Sequence, residues 1–410
     1  MTPISNKKIL LGITGSIAAY KAADLASKLT QSGAIVDVIM TQSATQFVSP
    51  LTFQSVTGRT VFTDNNLWGD KAHILHVGLA HECDMYIIAP ATANTIAKIA
   101  YGFADNLLSL TALSYNTENR YIPLIIAPAM DAGMYSNKTT QKNIHILEDS
   151  GVIIIGPDFG HLASGLIAKG RMTESYDILS QLRYLFSRSE NLKGVRIVIT
   201  AGGTQEPIDP VRIITNHSSG KQGYALSQAA IDAGADVTLI SCPSSIPVPY
   251  GVQPIFVKTA MDMEISVLEA CKKADVLIMA AAVADYRPLR QSSQKIKKHE
   301  RYLSIELEAT TDILSSVTEQ RFRIDYPKVI VGFAAETENI IINAQSKLEK
   351  KHLDMIVAND ISAPDAGFSS DNNRVTIITP DGSIEKLSLM SKIEVSHYII
   401  NKVLSLLQNK

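Results

Sequence analysis

Cysteine is scarce in this chain of 410 residues, and so is any excess of charge. The three cysteines, Cys83, Cys242 and Cys271, are too few and too widely spaced for a disulfide framework or a CxxC metal motif. The formal net charge is −2, whereas a general nucleic-acid-binding protein needs a marked positive balance. We therefore expect a cytoplasmic protein that acts on small molecules and binds no nucleic acid.

Long apolar runs are also missing. None approaches the roughly 20 residues that span a membrane, and the first residues lack a basic stretch followed by an apolar one. We expect neither export nor membrane insertion. Apolar residues still make up 46% of the sequence, which provides for sizeable cores. Because 410 residues exceed what one core usually supports, the length predicts two domains.

Strand and helix patterns begin twice along the chain. Residues 8–14 form a β-rich run that ends at a glycine turn, a helical pattern follows, and residues 35–40 form the next strand. The same order returns with strand residues 195–200 and 236–240. These repeated strand–helix–strand units predict an α/β fold of two Rossmann-like domains with mainly parallel sheets.

A short polar stretch at residues 187–191 follows an amphipathic helix and separates the two patterns. Domain boundaries usually fall in such polar segments. We therefore predict one domain over residues 1–188 and a second over residues 189–410.

The residues that follow the second strand of each predicted domain indicate which cofactor the sheet could bind. Dinucleotide-binding sheets usually carry Asp or Glu there to bind a ribose diol, but these strands lead into Thr41 and Ser241. This disfavours NAD and leaves an NAD(P)-linked oxidoreductase as an alternative. The Gly15-Ser16 turn and the loop 90–95 aim N–H groups and hydroxyls at helix N-termini, which suits a mononucleotide phosphate. Turn geometry or a simple N-cap could also explain both segments.

The segment PAMDAGMY at residues 128–135 follows a buried strand pattern. It resembles the PxMNxxMW signature of the homo-oligomeric flavin-containing cysteine decarboxylases. Residues 15–21, the Pro90 loop and residues 163–172 extend this resemblance over nearly the whole N-terminal half. It implies a flavodoxin-like domain that holds FMN between the subunits of a trimer and closes a flap over phosphopantothenoylcysteine. The implied cofactor-binding residues are Gly15, Ser16, Ile17, Thr41, Pro90, Thr92, Ala93, Asn94, Thr95 and Met130.

The same resemblance implies a catalytic histidine at the start of the helix before a central strand. His76 occupies that place and is the predicted base. His73 and His81 are near it in sequence and could be exposed or capping residues.

Two positions depart from that family's pattern, because the motif Asn is Asp131 here and the flap Cys is Ser164. A serine hydroxyl is a far weaker acid than a thiol. We therefore expect Asp131 to donate the proton of the final reduction, with an apolar, flavin-capped pocket raising its pKa. Asp131 and Ser164 complete the predicted catalytic residues of this half.

The segment DPVRIITNHSSGKQG at residues 209–223 precedes a helix. Ser218, Ser219 and Gly220 offer an N-terminus with free N–H groups, while Arg212 and Lys221 add positive charge for a phosphate. An ordinary helix cap would account for the serines but not for the arginine.

This segment looks like the signature of phosphopantothenate–cysteine ligase. Residues 281–287, 295–298, 332–337, 358–360 and 367–368 extend the likeness over about residues 193–380. It implies that Lys295 helps form an acyl-cytidylate from CTP and that Asn216 helps convert it to the amide. The implied substrate- and nucleotide-binding residues are Arg212, Ser218, Ser219, Gly220, Lys221, Ala281, Asp285, Asp312, Phe333, Lys347 and Lys351. A charged helix surface would equally explain the pair Lys347 and Lys351.

Together the two resemblances imply a bifunctional enzyme of coenzyme A biosynthesis. Cysteine would be ligated to 4'-phosphopantothenate with CTP and Mg2+, and the product decarboxylated and reduced on FMN to 4'-phosphopantetheine. Metal ligands are not identifiable. The alternative is an active ligase fused to a non-decarboxylating, FMN-binding regulatory domain. Decarboxylase trimers joined by ligase dimers would form a dodecamer.

Overall fold

The computed structural model describes residues 2–68, 74–115, 121–188, 190–297, 303–336, 339–360 and 370–410, with the backbone alone for Glu336 and Asp360. His73, Lys298, Thr337, Gly367 and Phe368, which belong to segments discussed above, lie outside the described residues. The chain divides into two compact units, Met1–Arg183 and Tyr184–Lys410. No helix among the described residues is long and apolar enough to cross a membrane.

The first unit alternates strands and helices. Its strands are β1 Lys8–Ile13, β2 Ile35–Met40, β3 Val61–Phe62, β4 Met85–Ala91, β5 Leu124–Pro128, β6 Ile153–Ile154, β7 Asp158–His161 and β8 Ile167–Arg171. Its helices are α1 Ala19–Gln31, α2 Pro50–Thr57, α3 Leu75–Glu82, α4 Ala93–Ala100, α5 Leu107–Ser114, α6 Ala132–Ser136, α7 Lys138–Asp149 and α8 Ser175–Ser187, which crosses the division between the units. Two short 3-10 helices cover Ala44–Gln46 and Asp64–Trp68.

Six of these strands form one parallel sheet in the order β3-β2-β1-β4-β5-β6. Strands β4 and β5 are buried along their whole length because helices cover both faces of the sheet. The order is that of the Rossmann fold and differs from the 2-1-3-4-5 order of flavodoxin. It reverses direction between β1 and β4, where parallel sheets open a ligand crevice at their carboxyl ends. Strands β7 and β8 form a separate antiparallel hairpin.

The second unit continues the pattern. Its strands are β9 Arg196–Ala201, β10 Gln205–Pro207, β11 Ile213–Thr215, β12 Asp236–Ser241, β13 Gln253–Phe256, β14 Val276–Met279, β15 Tyr286–Pro288, β16 Leu307–Ala309, β17 Val329–Glu336, β18 Met355–Asp360, β19 Asn372–Asn373, β20 Val375–Ile378, β21 Ile384–Lys386 and β22 Met390–Ser391. Its helices are α9 Lys221–Asp232, α10 Ala260–Cys271, α11 Ile313–Ile324, α12 Ile340–Lys350 and α13 Lys392–Gln408.

Eight strands of this unit form a sheet in the order β13-β12-β9-β14-β17-β18-β20-β21. The strands from β13 to β18 are parallel, and β20 pairs antiparallel with both β18 and β21. Alternate residues of β9 face opposite sides, as a strand requires. Ile197 and Ile199 pack with α9 and α13, whereas Val198 packs with α10, α11 and α12. The prediction of an α/β fold with two Rossmann-like, mainly parallel sheets is confirmed.

Candidate active sites

A buried threonine joins the carboxyl ends of β1 and β4 in the first unit. The Thr14 hydroxyl donates to the Pro90 carbonyl at 2.7 Å and accepts from the Thr92 N–H at 3.1 Å. Thr92 in turn caps α4 by accepting from the Thr95 N–H at 3.3 Å. The turn after β1 and the loop after β4 are therefore fixed side by side where the strand order reverses. Ala93 and Asn94 open α4 at this place.

The turn after β1 also packs closely on the loop after β2. A Cβ at Gly15 would lie 2.4 Å from the Cβ of Ser43, so glycine alone fits. The hydroxyls of Ser16 and Thr41 each accept a nearby backbone N–H, and the Ile17 side chain is 59% exposed. The predicted cofactor residues of these loops thus lie at the carboxyl edge of one sheet.

The β7–β8 hairpin is joined to the loop after β5. The Met130 N–H donates to the Gly170 carbonyl at 3.0 Å, and a Cβ at Gly170 would lie 2.3 Å from the Met130 oxygen. At the hairpin tip, the Ser164 hydroxyl donates to Oδ2 of Asp131 at 2.6 Å. The structure therefore pairs the two residues that depart from the family pattern.

Asp131 is half-buried, and its carboxylate caps α6 because its Oδ1 accepts from the Gly133 N–H at 3.0 Å. The hydrogen bond from Ser164, and next the one from Gly133, lower the pKa of Asp131 below its ordinary value. The sequence predicts the opposite direction. That prediction requires an apolar, flavin-capped pocket, whereas the described residues place hydrogen-bond donors around this carboxyl.

His76 lies in the first turn of α3 and is half-buried. Its Nδ1 is buried and has no hydrogen-bond partner among the described residues. Buried polar atoms are normally paired, so this nitrogen marks a place where a bound group would be stabilised. His81 is exposed near the other end of the same helix.

The second unit holds a cavity of about 650 Å³ at the carboxyl edge of its sheet. Eleven of the predicted substrate and catalytic residues line it, and they come from α9, α11, α12, β17 and the loops beside them. These residues are Asn216, Ser218, Ser219, Gly220, Lys221, Ala281, Asp285, Asp312, Phe333, Lys347 and Lys351. The fold therefore gathers most of the predicted ligase residues around one space.

Helix α9 points its N-terminus at this cavity. Gly220 is its N-cap at φ 78°, and no side chain caps the first turn from that position. A Cβ at Gly223 would lie 2.5 Å from the Cβ of Ala201 and 2.8 Å from the Thr200 oxygen, so the helix packs directly on β9. Backbone N–H groups at such an N-terminus attract anions.

Two buried threonines hold the loop after β14, much as Thr14 does in the first unit. The hydroxyl of Thr200 accepts from the Ala281 N–H at 3.0 Å, and that of Thr204 accepts from the Ala284 N–H at 2.9 Å. The Asn216 amide donates to the Val283 carbonyl at 3.1 Å. The predicted asparagine is therefore fixed against the predicted nucleotide loop.

Lysines dominate the charge of the cavity. Four lysines line it, together with the two carboxylates of Asp285 and Asp312. The lysines are Lys221, Lys347, Lys351 and Lys392. The Lys351 Nζ lies 2.8 Å from Oδ2 of Asp312. Burial opposes ionisation of Asp312, but Lys351 and the hydrogen bonds from Ser315 together outweigh burial, and the pKa of Asp312 lies below its ordinary value. A site with this charge suits a polyphosphate.

Both halves match family models. The Flavoprotein family matches residues 1–187, and the DNA/pantothenate metabolism flavoprotein C-terminal domain matches residues 192–407. The coenzyme A biosynthesis bifunctional protein CoaBC of Bacillus subtilis is 43% identical over 406 residues, with 98% of each chain covered. The protein of the same name from Escherichia coli K12 is 40% identical, with 95% of this chain and 96% of that one covered.

The chain belongs to the coenzyme A biosynthesis bifunctional protein family. It is therefore a bifunctional decarboxylase and ligase, and the predicted membership is confirmed; the regulatory-flavoprotein alternative is not favoured. The solved C-terminal domain of a CoaBC protein is 40% identical, with a TM-score of 0.45 over 53% of this chain and 98% of that one.

Two predicted ligase residues of this family member do not line the cavity. Arg212 donates to Oδ2 of Asp209 at 3.1 Å and to the Ile296 carbonyl at 3.2 Å, and the Ile296 N–H donates back to Asp209 at 3.1 Å. Burial opposes ionisation of Asp209, but three backbone N–H groups and Arg212 outweigh it and lower its pKa. Arg212 thus holds the exposed segment that carries Lys295.

Sequence reasoning missed Lys392, which lines the cavity and is only 6% exposed. Its sole local signal is the capping box formed by Ser391 and Glu394 at the start of α13, which marks a helix start without indicating a site. Asn359, part of a segment noted for the ligase, also lines the cavity, and its buried Oδ1 has no partner among the described residues. Within those residues, no group of three or more His, Cys, Asp or Glu side chains could hold a metal ion.

Proposed function

We propose that the chain converts 4'-phosphopantothenate to 4'-phosphopantetheine, with ligation of cysteine in residues 189–410 and decarboxylation in residues 1–188. The lysine-lined cavity at the N-terminus of α9 is the observation that carries the ligase assignment. The FMN-binding role of the first half rests on the loops joined by Thr14 and on the buried Nδ1 of His76.

In the ligase half, Lys347 and Lys351 would bind the triphosphate of CTP, and Mg2+ bound with the nucleotide would help to neutralise its charge. Ala281, Asp285 and Phe333 contact the cytidine. The carboxylate of 4'-phosphopantothenate attacks the α-phosphorus and pyrophosphate leaves, while Lys295 stabilises the negative charge of the transition state. The cysteine amine then attacks the acyl carbon, with Asn216 at the reacting centre, and CMP leaves. The remaining proposed contacts are Arg212, Ser218, Ser219, Gly220, Lys221 and Asp312.

In the decarboxylase half, the turn at Gly15, the loop after Thr92 and the backbone at Met130 hold FMN. When bound there, FMN supplies two-electron redox chemistry that enables the cysteine carboxylate to leave as CO2. His76 acts as the base. The hydrogen bond between Ser164 and Asp131 holds the β7–β8 hairpin over the substrate.

The proposed assembly is a dodecamer in which ligase dimers join decarboxylase trimers. A cytoplasmic location is part of the same proposal. The three cysteines, Cys83, Cys242 and Cys271, are buried. Burial raises the pKa of Cys242 and Cys271 to about 12, which leaves these thiols unreactive.

Purified protein incubated with 4'-phosphopantothenate, cysteine, CTP and Mg2+ tests both assignments when pyrophosphate is followed and acyl products are identified by mass. Formation of 4'-phosphopantetheine supports both halves, whereas phosphopantothenoylcysteine as the end product supports a ligase fused to a non-decarboxylating domain. His76→Gln should stop the reaction at phosphopantothenoylcysteine with pyrophosphate release unchanged. Lys295→Met should abolish pyrophosphate release. ATP in place of CTP is the control for nucleotide choice.

A further inference from the structure

Two lysines approach each other where α9 and α13 begin. Lys392 is the first residue of α13, and its Nζ donates to the Ser370 carbonyl at 2.7 Å. Lys221 is the first residue of α9, and its Nζ lies 2.6 Å from Oδ1 of Asp371. Both lysines line the cavity, whereas Asp371 is exposed and does not.

The two ammonium groups are close enough to repel each other. Burial, and next the positive charge of Lys221, lower the pKa of Lys392, while Asp371 opposes that shift. The hydrogen bond from Lys221, and next the positive charge of Lys221, lower the pKa of the Asp371 carboxyl. Both ammonium groups lie near the exposed carboxylate of Asp371, and keeping a buried ammonium beside another cation costs free energy. A multiply charged anion in the cavity would offset that cost.

Hydrogen bonds fix the two helix starts relative to each other. The Gln222 amide donates to the Ser396 hydroxyl at 2.8 Å and to the Lys392 carbonyl at 3.4 Å. The buried Asn373 donates to Oε1 of Gln222 at 3.2 Å, and the Lys392 N–H donates to the Asp371 carbonyl at 2.9 Å. The lysine pair therefore sits on a rigid frame beside the N–H groups of α9, as a preformed anion subsite requires.

We propose that Lys392 and Lys221 form one anion subsite at the N-terminus of α9, which binds a phosphate group of a ligase substrate, with Asp371 as a counter-ion that the phosphate displaces. The assignment of the cavity to a ligase comes from the proposed function. The phosphate comes either from the triphosphate of the nucleotide or from the 4'-phosphate of the acid substrate. Lys392 contributes a positive charge to this subsite and positions the bound phosphate.

Calorimetric titration of the full-length protein with inorganic pyrophosphate tests the subsite without any turnover. Lys392→Met should weaken binding by about 10-fold or more, since a charge-assisted hydrogen bond to the phosphate is lost. Lys392→Arg should retain most of the affinity. Asp371→Asn should strengthen binding, because it removes the competing carboxylate, and a purely structural role of this network predicts no such gain.

Lys402→Met is the matched control. Lys402 lies on the same helix, where its Nζ is 2.7 Å from Oε2 of Glu385, and it does not line the cavity. This variant should bind pyrophosphate as the unaltered protein does. Unchanged pyrophosphate affinity in Lys392→Met, or weaker affinity in Asp371→Asn, would overturn the proposal. Should Lys392→Met fail to fold, Asp371→Asn alone decides the outcome.

Steady-state kinetics separate the two sources of the phosphate. A rise in the KM for CTP alone in Lys392→Met assigns the subsite to the triphosphate, and a rise in the KM for 4'-phosphopantothenate alone assigns it to the 4'-phosphate. If the unaltered protein releases no pyrophosphate from its substrates, the proposed function fails. The direct titration still tests the subsite in that case.

Discussion

The Ser164 hydroxyl donates a 2.6 Å hydrogen bond to the Asp131 carboxylate, and the two residues lie 33 positions apart in sequence. The contact joins the tip of the β7–β8 hairpin to the loop that follows β5. It lowers the pKa of Asp131 and so favours the ionised form of this carboxyl, which accepts the hydrogen bond.

Ser164→Ala should raise the pKa of Asp131 toward its ordinary value, because the largest cause of the lowering is removed. A carboxyl whose pKa is lower in the folded state stabilises the fold above its unfolded pKa. That contribution is lost as the pH falls through the folded pKa. The variant should therefore show a smaller loss of stability on acidification. Carboxyl NMR titration, together with unfolding measured at several acidic pH values, checks this.

Ser136→Ala is the control for that variant. The Ser136 hydroxyl contacts the Gly133 carbonyl at 3.4 Å in α6, so its removal leaves the Asp131 carboxylate with both donors. An unchanged titration of Asp131 in Ser164→Ala would contradict the expected coupling.

Thr14→Val should loosen the flavin loops. The change leaves the Pro90 carbonyl and the Thr92 N–H without their shared hydroxyl, at a cost of roughly 1–3 kcal/mol for a buried polar group. We expect weaker FMN retention, measured by flavin release on dilution, and a lower free energy of unfolding. Thr111→Val is the control, since the buried Thr111 hydroxyl donates to the Leu107 carbonyl of its own helix at 2.7 Å. Equal flavin retention in both variants would count against this role of Thr14.

Asp209→Asn should slow ligation, although Asp209 does not line the cavity. Asp209 holds Arg212 and the Ile296 N–H, so its loss displaces the segment that carries Lys295. A misplacement of about 1 Å costs up to roughly 100-fold in rate, and we expect kcat for pyrophosphate release to fall at least 10-fold. Pyrophosphate affinity should stay unchanged. Asp381→Asn, in an exposed turn where the carboxylate also accepts hydrogen bonds, should leave kcat unaltered.

Gly223→Ala should push α9 away from β9. The added Cβ would meet Ala201 and Thr200 at distances that no relaxed structure tolerates, and overpacking of this kind costs roughly 1–3 kcal/mol. Both the free energy of unfolding and the ligase rate should fall, as measured by denaturant titration and pyrophosphate release. A second helical glycine, Gly78, has nothing within 4 Å of an added Cβ. Gly78→Ala should therefore cause no loss of stability.

Local features of the sequence determined much of the fold of this protein. Strand periodicity and glycine turns predict both α/β patterns, because a parallel strand and the turn after it are specified by neighbouring residues. The segments 128–135 and 209–223 indicate the two chemistries for the same reason. Most of the predicted ligase residues line one cavity, since the carboxyl ends of parallel strands meet at one edge of a sheet.

Only the tertiary structure decided which distant side chains meet. Lys221 and Asp371 pair across 150 positions, and no periodicity in the sequence links them or brings Lys392 into the cavity. The structure also reversed the expected direction of the Asp131 pKa and placed Arg212 outside the cavity lining. A sequence pattern specifies the face of a helix or strand, whereas charge pairing and burial depend on how those faces pack.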